Sequence, residues 1–356
     1  MSYRMICLIG LALVVGPQVA ECGKWRQQKV PCEIRHEATD MLKNDLWDVC
    51  FASAENGWIV GGTFGRVYRQ GVIFHTVNGG QTWVEQSKGK GIEVADRFGA
   101  KAIPELYCVT CIGANNVWAC GEEGAILFSS NGGVAWQVQP SGSKETLRCI
   151  RMRNAKSGWA CGDKGTLLET SDRGITWAKR DMENAGDLKC LVILDSMKVI
   201  AVGSGIQITT DGGQHWSKPE NSPGGLLSVT RTDSLSIWAV GENGTIAHSS
   251  DGGLTWKSHA NGEWKFGDIG FADAKTGWIV GAGSSIINGY GALYKTTDGG
   301  ETWNVDVQGG VIEETDKNGW TTEKESQIWR LQGLWVSKSK AACAVGFRGM
   351  VMRHSN

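Results

Sequence analysis

The chain of 356 residues carries 50 Gly, 17 Trp and only 6 Pro, with 41% hydrophobic residues and a net charge of −1. Gly stands at about twice its usual share of roughly 7% and shows no three-residue period, which excludes collagen, and the scarcity of Pro excludes Pro-rich disorder. The near-neutral charge excludes the basic face of a nucleic-acid binder, leaving a turn-rich chain able to bury a large core.

Residues 1–22 read as a secretory signal, with Arg4 as the positive start, an apolar run from Met5 to Val15 and a polar exit from Pro17 to Cys22. The run is shorter than the ~20 residues of a membrane span, and no later stretch is longer, so no transmembrane segment is predicted. The expected location is the periplasm or the extracellular space. Cleavage after Ala20 and cleavage after Cys22 both fit. Lipid anchoring at Cys22 is the less favoured reading, because Glu21 stands where a lipoprotein signal places a small residue.

Six later segments repeat one pattern: TVNGGQTW at 76–83, SSNGGVAW at 129–136, TSDRGITW at 170–177, TTDGGQHW at 209–216, SSDGGLTW at 249–256 and TTDGGETW at 296–303. Their Trp residues are spaced by 53, 41, 39, 40 and 47 positions. A period near 40 built from short strands predicts propeller blades. Within each segment the Asn or Asp (Asn78, Asn131, Asp172, Asp211, Asp251, Asp298) can fold onto turn amides, and the glycines supply φ > 0. The closing Trp (Trp83, Trp136, Trp177, Trp216, Trp256, Trp303) offers apolar area to seal blades. These residues are predicted to be structural.

A second pattern, xWxVG, precedes each hairpin and places its Gly at 61, 121, 162, 203, 241, 281 and 346, giving seven registers. Fifteen residues before each Gly stand Leu46, Leu106, Leu147, Leu188, Leu226, Phe266 and Leu331; three before stand Trp58, Trp118, Trp159, Ile200, Trp238, Trp278 and Cys343. With the hairpin strands, each unit has four strands. The seventh unit ends at Asn356, so its outer strand must come from elsewhere, and Gly23-Lys24-Trp25-Arg26-Gln27 resembles the hairpin's return strand. The predicted fold is all-β: one seven-bladed propeller over residues 23–356, of four-stranded antiparallel blades, closed by the N-terminal strand in the last blade.

The 11 Cys would suit a disulfide framework, but Cys108, Cys149 and Cys190 share one column, and Cys120 and Cys161 alternate with Val in another. Those are core positions, where Cys acts as a small hydrophobe. Cys108 and Cys111 form a CxxC on a strand, so alternation turns them to opposite faces and one metal ion cannot take both. Mostly free thiols and no metal site are predicted, with Cys22–Cys32 the favoured local disulfide if Cys22 survives cleavage.

Deviations from the repeat point to the working surface. The linker from hairpin Trp to the next anchor is 10 or 11 residues in compact blades, but 23 from Trp83 to Leu106, 28 from Trp303 to Leu331 and 21 from Trp25 to Leu46. Blades one and six also carry 7 extra residues each between their second and third strands. All five insertions fall on one face, over blades six, seven, one and two. That sector holds Arg66, Tyr68, Arg69, Arg97, Tyr290, Trp320, Trp329, Arg330 and Arg348, residue types that anchor interfaces. The acidic runs Glu313-Glu314 and Glu323-Lys324-Glu325 read as solvated loop.

The hairpin pattern resembles the Asp box of bacterial neuraminidase repeats (BNR), found in sialidases and sortilin-type receptors. The whole repeat, GWxVG before (S/T)xDGGxTW, is most similar to the photosystem II stability and assembly factor family over residues 23–356. That resemblance implies an exported seven-bladed propeller, thylakoid-lumen-like in location, that aids assembly of a membrane complex, and it transfers no functional residue, since the match lies in scaffold positions. The functional expectation is a non-catalytic scaffold binding a protein partner through the inserted face, with no cofactor. Two alternatives use the same face. A carbohydrate binder would stack a sugar on Trp320 or Trp329. A sialidase-like or other glycoside hydrolase would need opposed carboxylates, for which Glu122, Glu123, Asp163 and Glu242 are the candidates. Against the sialidase reading, the N-terminal Arg motif of that family is absent, and sialidases have six blades.

Overall fold

The computed structural model describes residues 25–28, 44–63, 70–87, 103–182, 185–260, 262, 264–283, 290–308, 310–315, 321–326, 328 and 330–354. The signal segment, its cleavage site, Cys22 and Cys32 lie outside the described residues. Seven antiparallel sheets follow one another around a ring, and the inner strand of each touches the inner strands on either side.

Blade one runs Asn44–Phe51, Gly57–Thr63, Gly71–Thr76 and Val84–Glu85; blade three runs Leu147–Met152, Gly158–Gly162, Leu167–Thr170 and Ala178–Lys179. Blades two, five and six repeat the scheme. In blade four the outer strand shrinks to one bridge, Ile208 to Ser217, two residues before Pro219, which has no amide to extend a ladder. Blade seven takes Leu331–Val336, Ala342–Gly346 and Met350–His354 from the C-terminal end and Trp25–Gln28 from the N-terminal end. Trp25 pairs with His354 and Gln28 with Val351, closing the ring as the sequence predicts.

The anchor columns are the strand register itself. Leu46 opposes Gly61, Leu106 opposes Gly121, Leu147 opposes Gly162, and the same holds through Leu331 and Gly346. Gly is required because the chains approach closely: a Cβ at Gly162 would lie 2.0 Å from the Thr146 carbonyl oxygen. Gly162→Ala should therefore cost about 1–3 kcal/mol through backbone displacement, read as a lowered midpoint in denaturant unfolding with unchanged m.

Each hairpin closes by one hydrogen-bond set. In blade three Thr170 Oγ1 donates to Asp172 Oδ1 and accepts from the Gly174 amide, while Asp172 Oδ1 accepts from the Thr176 amide. Asn78 and Asn131 do the same work with an amide side chain. The hydroxyl and amide of Thr176 hold the Asp172 carboxyl down at about 2, below the usual ~3.9. A depressed folded-state value means that this stabilisation is complete above the ordinary value and is lost as pH falls through 2. Changing Asp172, Asp211, Asp251 and Asp298 together to Asn should flatten the acid limb of a melting-temperature profile between pH 4 and pH 2.

The tryptophans join blades. Trp58 Nε1 donates to the Gly132 carbonyl of blade two, and Trp118 Nε1 to the Arg173 carbonyl of blade three. Trp159 and Trp238 lie against Gly213 and Gly300 of the next hairpins, where a Cβ would meet the indole at 2.3 and 2.5 Å. Cys108, Cys120, Cys149, Cys161, Cys190 and Cys343 are buried free thiols, and Cys50 and Cys111 are half-buried and free.

Candidate functional site

Every inner strand carries a β-bulge directly after its Leu or Phe anchor. A bulged residue is left out of the ladder and its side chain is re-aimed. The seven bulged residues are Trp47, Tyr107, Arg148, Lys189, Leu227, Gly267 and Gln332, at the channel mouth where the blade-to-blade linkers arrive. The second-to-third-strand turns share this mouth: the Glu122 amide donates to the Glu105 carbonyl, and the Phe347 amide to the Arg330 carbonyl. The Asp and Asn hairpins lie on the opposite face with the first-to-second-strand turns, as the Gly79 amide bonded to the Glu55 carbonyl shows.

Four bulges and one turn build a continuous half-exposed shelf. Arg330 lies over the Phe347 ring (5.4 Å), Phe347 meets Trp47 edge-on (5.4 Å), Trp47 meets Tyr107 (5.3 Å), and Arg148 covers Tyr107 (4.5 Å). The chain of contacts continues through Asp163, which takes two hydrogen bonds from Arg148 (2.8 and 3.1 Å) and one from Lys189 (2.9 Å). The shelf thus crosses blades seven, one, two, three and four.

Buried and half-buried carboxylates hold the aromatic rings in place. Trp47 Nε1 donates to Glu105 Oε1 (2.8 Å), and the Tyr107 hydroxyl lies 3.2 Å from Glu105 Oε2 and 3.3 Å from Glu122 Oε1. Partial burial, then the charges of Glu105 and Glu122, push the Tyr107 phenol above its ordinary value, so it remains a protonated donor. Burial raises the Asp163 carboxyl, but the hydrogen bonds and charges of Arg148 and Lys189 outweigh it and leave Asp163 ionised. An aromatic platform with fixed rotamers and charged ends offers area at low ordering cost, the property of an interface anchor.

Of the residues singled out from sequence, Arg330 and Arg348 flank Phe347 at the blade-seven end of the shelf. Arg348 is exposed, sits at φ 57 in the Phe347–Gly349 turn, and donates its amide to Asp45 Oδ1 (3.3 Å). Tyr290 belongs to blade six, where its carbonyl accepts from Gly283. Arg66, Tyr68, Arg69, Arg97, Trp320 and Trp329 lie outside the described residues. The acidic runs read as loop are instead strand: Gly310–Thr315 and Thr321–Ser326 form an antiparallel hairpin in the linker from blade six to blade seven, with Glu313 opposite Glu323. The β-branched residues Val311, Ile312, Thr321 and Thr322 favour this pairing over open loop. Sequence reading missed Trp47, Tyr107, Arg148 and Phe347. For the first three the signal was the position after each anchor, which holds four large side chains in blades one to four and no charge in the other three.

Three of the four hydrolase candidates are engaged by neighbouring side chains. Asp163 is doubly ion-paired, Glu122 lies against the Tyr107 hydroxyl, Glu242 pairs with Lys265 (3.1 Å), and Glu123 is exposed at φ 57 in a tight turn. A carboxylate held ionised by two cations makes a poor general acid. No group of three or more His, Cys, Asp or Glu arranged for a metal is found among the described residues, and no helix among them is long and apolar enough to cross a membrane.

The fold and the shelf define a seven-bladed β-propeller of short antiparallel blades with one decorated channel mouth. Over 114 residues the chain is 32% identical to the photosystem II assembly lipoprotein Ycf48 of Synechococcus sp. (strain CC9902), a match covering 29% of this chain and 31% of that relative. The matched region therefore spans about a third of the curated relative's length. No family model matches the chain. Among solved structures, Ycf48 bound to a D1 peptide superposes with a TM-score of 0.66 at 20% identity, covering 94% of this chain and 97% of that one. Ycf48 from Cyanidioschyzon merolae gives 0.63 at 16%, covering 93% and 99%. A GH74 xyloglucanase from Xanthomonas campestris gives 0.62 at 13%, with 92% of this chain on 52% of the enzyme. At these identities the structural matches establish the propeller fold.

Proposed function

We propose that this protein is an exported, non-catalytic propeller that docks a protein partner on the shelf of Phe347, Trp47, Tyr107 and Arg148, in assembly or stabilisation of a membrane-bound or envelope complex. The observation that carries the reading is the run of bulges that turns Trp47, Tyr107 and Arg148 out of the ladder onto the mouth where the Phe347 turn also lies. A scaffold needing only a closed ring has no use for a pre-ordered aromatic and cationic strip there. The Ycf48 similarity supports the same reading, since a Ycf48 has been solved with a D1 peptide bound. Export rests on the apolar segment from Met5 to Val15.

The test is affinity capture from the native envelope with wild type, Trp47→Ala/Tyr107→Ala, and Arg148→Gln. A partner held by wild type and lost from both variants supports the reading. Equal recovery by all three, or turnover on a glycan panel without a protein partner, overturns it.

A further inference from the structure

Two positions beyond each anchor, the inner strands present Asp48, Cys108, Cys149, Cys190, Ser228, Asp268 and Gly333. Most of these side chains clasp the next blade. Asp48 Oδ2 accepts from the Val109 amide, Cys108 Sγ from the Ile150 amide, and Asp268 Oδ2 from the Leu334 amide. Three consecutive members are thiols, and Arg151 Nη1 reaches Cys108 Sγ at 2.7 Å. Cys149 Sγ and Cys190 Sγ, on the inner strands of blades three and four, are 3.8 Å apart. A cavity of about 390 Å³ in the channel, lined by Arg151, Leu191, Val192, Ser228 and Asp268, reaches the residues next to Cys190 from the hairpin face.

We propose that Cys149 and Cys190 form a peroxide-oxidisable dithiol site that converts to a disulfide between blades three and four. The two sulfurs need close by less than 2 Å to reach a bond length of about 2.05 Å, and they belong to strands already in contact. Their roles differ. The Cys149 thiol donates to Cys190, which draws the Cys190 thiol below its ordinary value against the effect of burial, with the Arg151 charge assisting. Burial, then hydrogen bonding to its neighbours, pushes Cys149 up. Cys190 is thus the nucleophile and Cys149 the resolving thiol. The Cys190 thiolate attacks one oxygen of a hydroperoxide, breaking the O–O bond to leave a sulfenic acid and releasing hydroxide, or alkoxide from an organic hydroperoxide. Cys149 sulfur then displaces the sulfenic hydroxyl as water, its proton passing to the leaving oxygen. With hydrogen peroxide, two thiols and one peroxide give one disulfide and two waters. The product closes a loop between residues 41 positions apart and ties two blades at the channel wall.

The full-length protein is treated with millimolar hydrogen peroxide, alkylated and digested without reductant, and its peptides are mapped by mass. Wild type should yield a Cys149–Cys190 linked peptide reversed by dithiothreitol, and a melting temperature several degrees higher than the reduced form. Cys149→Ser should trap a dimedone-reactive sulfenic acid at Cys190, and Cys190→Ser should give neither product. Cys343, pushed by burial to about 12, should stay unmodified. Cys149→Ala and Cys190→Ala replace either serine variant that loses its native circular dichroism. The proposal fails if no link forms until the protein is unfolded in guanidinium, or if the link joins other thiols.

Discussion

Replacing Trp25 by Ala should lower the melting temperature by about 4–7 °C, because a large-to-small change at a buried Trp costs about 3–5 kcal/mol and the unfolding entropy of a propeller this long is large. Trp25 belongs to a four-residue strand at the N-terminal end, yet it is 5% exposed. Its Nε1 donates to Asp306 Oδ2 (2.9 Å), which also accepts from Trp278 Nε1 (3.1 Å), and its ring packs edge-on against Trp278 and His354. One side chain therefore ties the N-terminal strand to blade six and to the last strand of blade seven. Removing residues 23–30 should do more, since Met350–His354 would become an unpaired edge between two chain ends. Differential scanning calorimetry reads both variants. An unchanged melting temperature in either would mean that the ring holds without the N-terminal strand.

Truncating the shelf should act on binding and leave the fold intact. Trp47→Ala removes an aromatic anchor that is half-exposed and contacts Phe347, Tyr107 and Glu105. Losing such an anchor at an interface costs about 2 kcal/mol or more, a rise in Kd of roughly 30-fold. Arg148→Gln should weaken binding less at high salt than at low salt, because its charge acts across a screened, partly exposed contact. Surface-immobilised partner and wild-type protein provide the reference Kd. A Trp47→Ala protein that binds as wild type does would remove the shelf from the interface.

The scaffold was readable because it repeats. Seven copies of one spacing turn weak local signals into columns, and the columns proved to be cross-strand pairs such as Leu46 with Gly61. The missing outer strand of blade seven was readable for the same reason: six complete copies show what a seventh lacks. The working surface was harder to see, because function departs from the repeat. The insertions point to the same mouth as the proposed shelf, and Arg330 and Arg348 lie on its blade-seven edge. The side chains that build the shelf, Trp47, Tyr107 and Arg148, sit inside strands beside the Leu or Phe anchors, with no length change to mark them. The position after each anchor carried the signal, but what turns it out of the core is the bulge, a feature of backbone pairing that spacing alone does not display. The free thiols were correctly placed in the core by their columns. The approach of Cys149 to Cys190 depends on how the inner strands of blades three and four pack, which their shared column does not display.

The most direct measurement is a covalent footprint of the protein alone and with its captured partner, read residue by residue by mass spectrometry. Docking on the shelf predicts protection of Trp47, Tyr107 and Phe347, with the exposed hairpin residues Val134 and Ile175 on the opposite face labelled equally in both states. Protection of Val134 and Ile175 with Trp47 and Tyr107 unchanged would place the partner on the other face and contradict the proposed function.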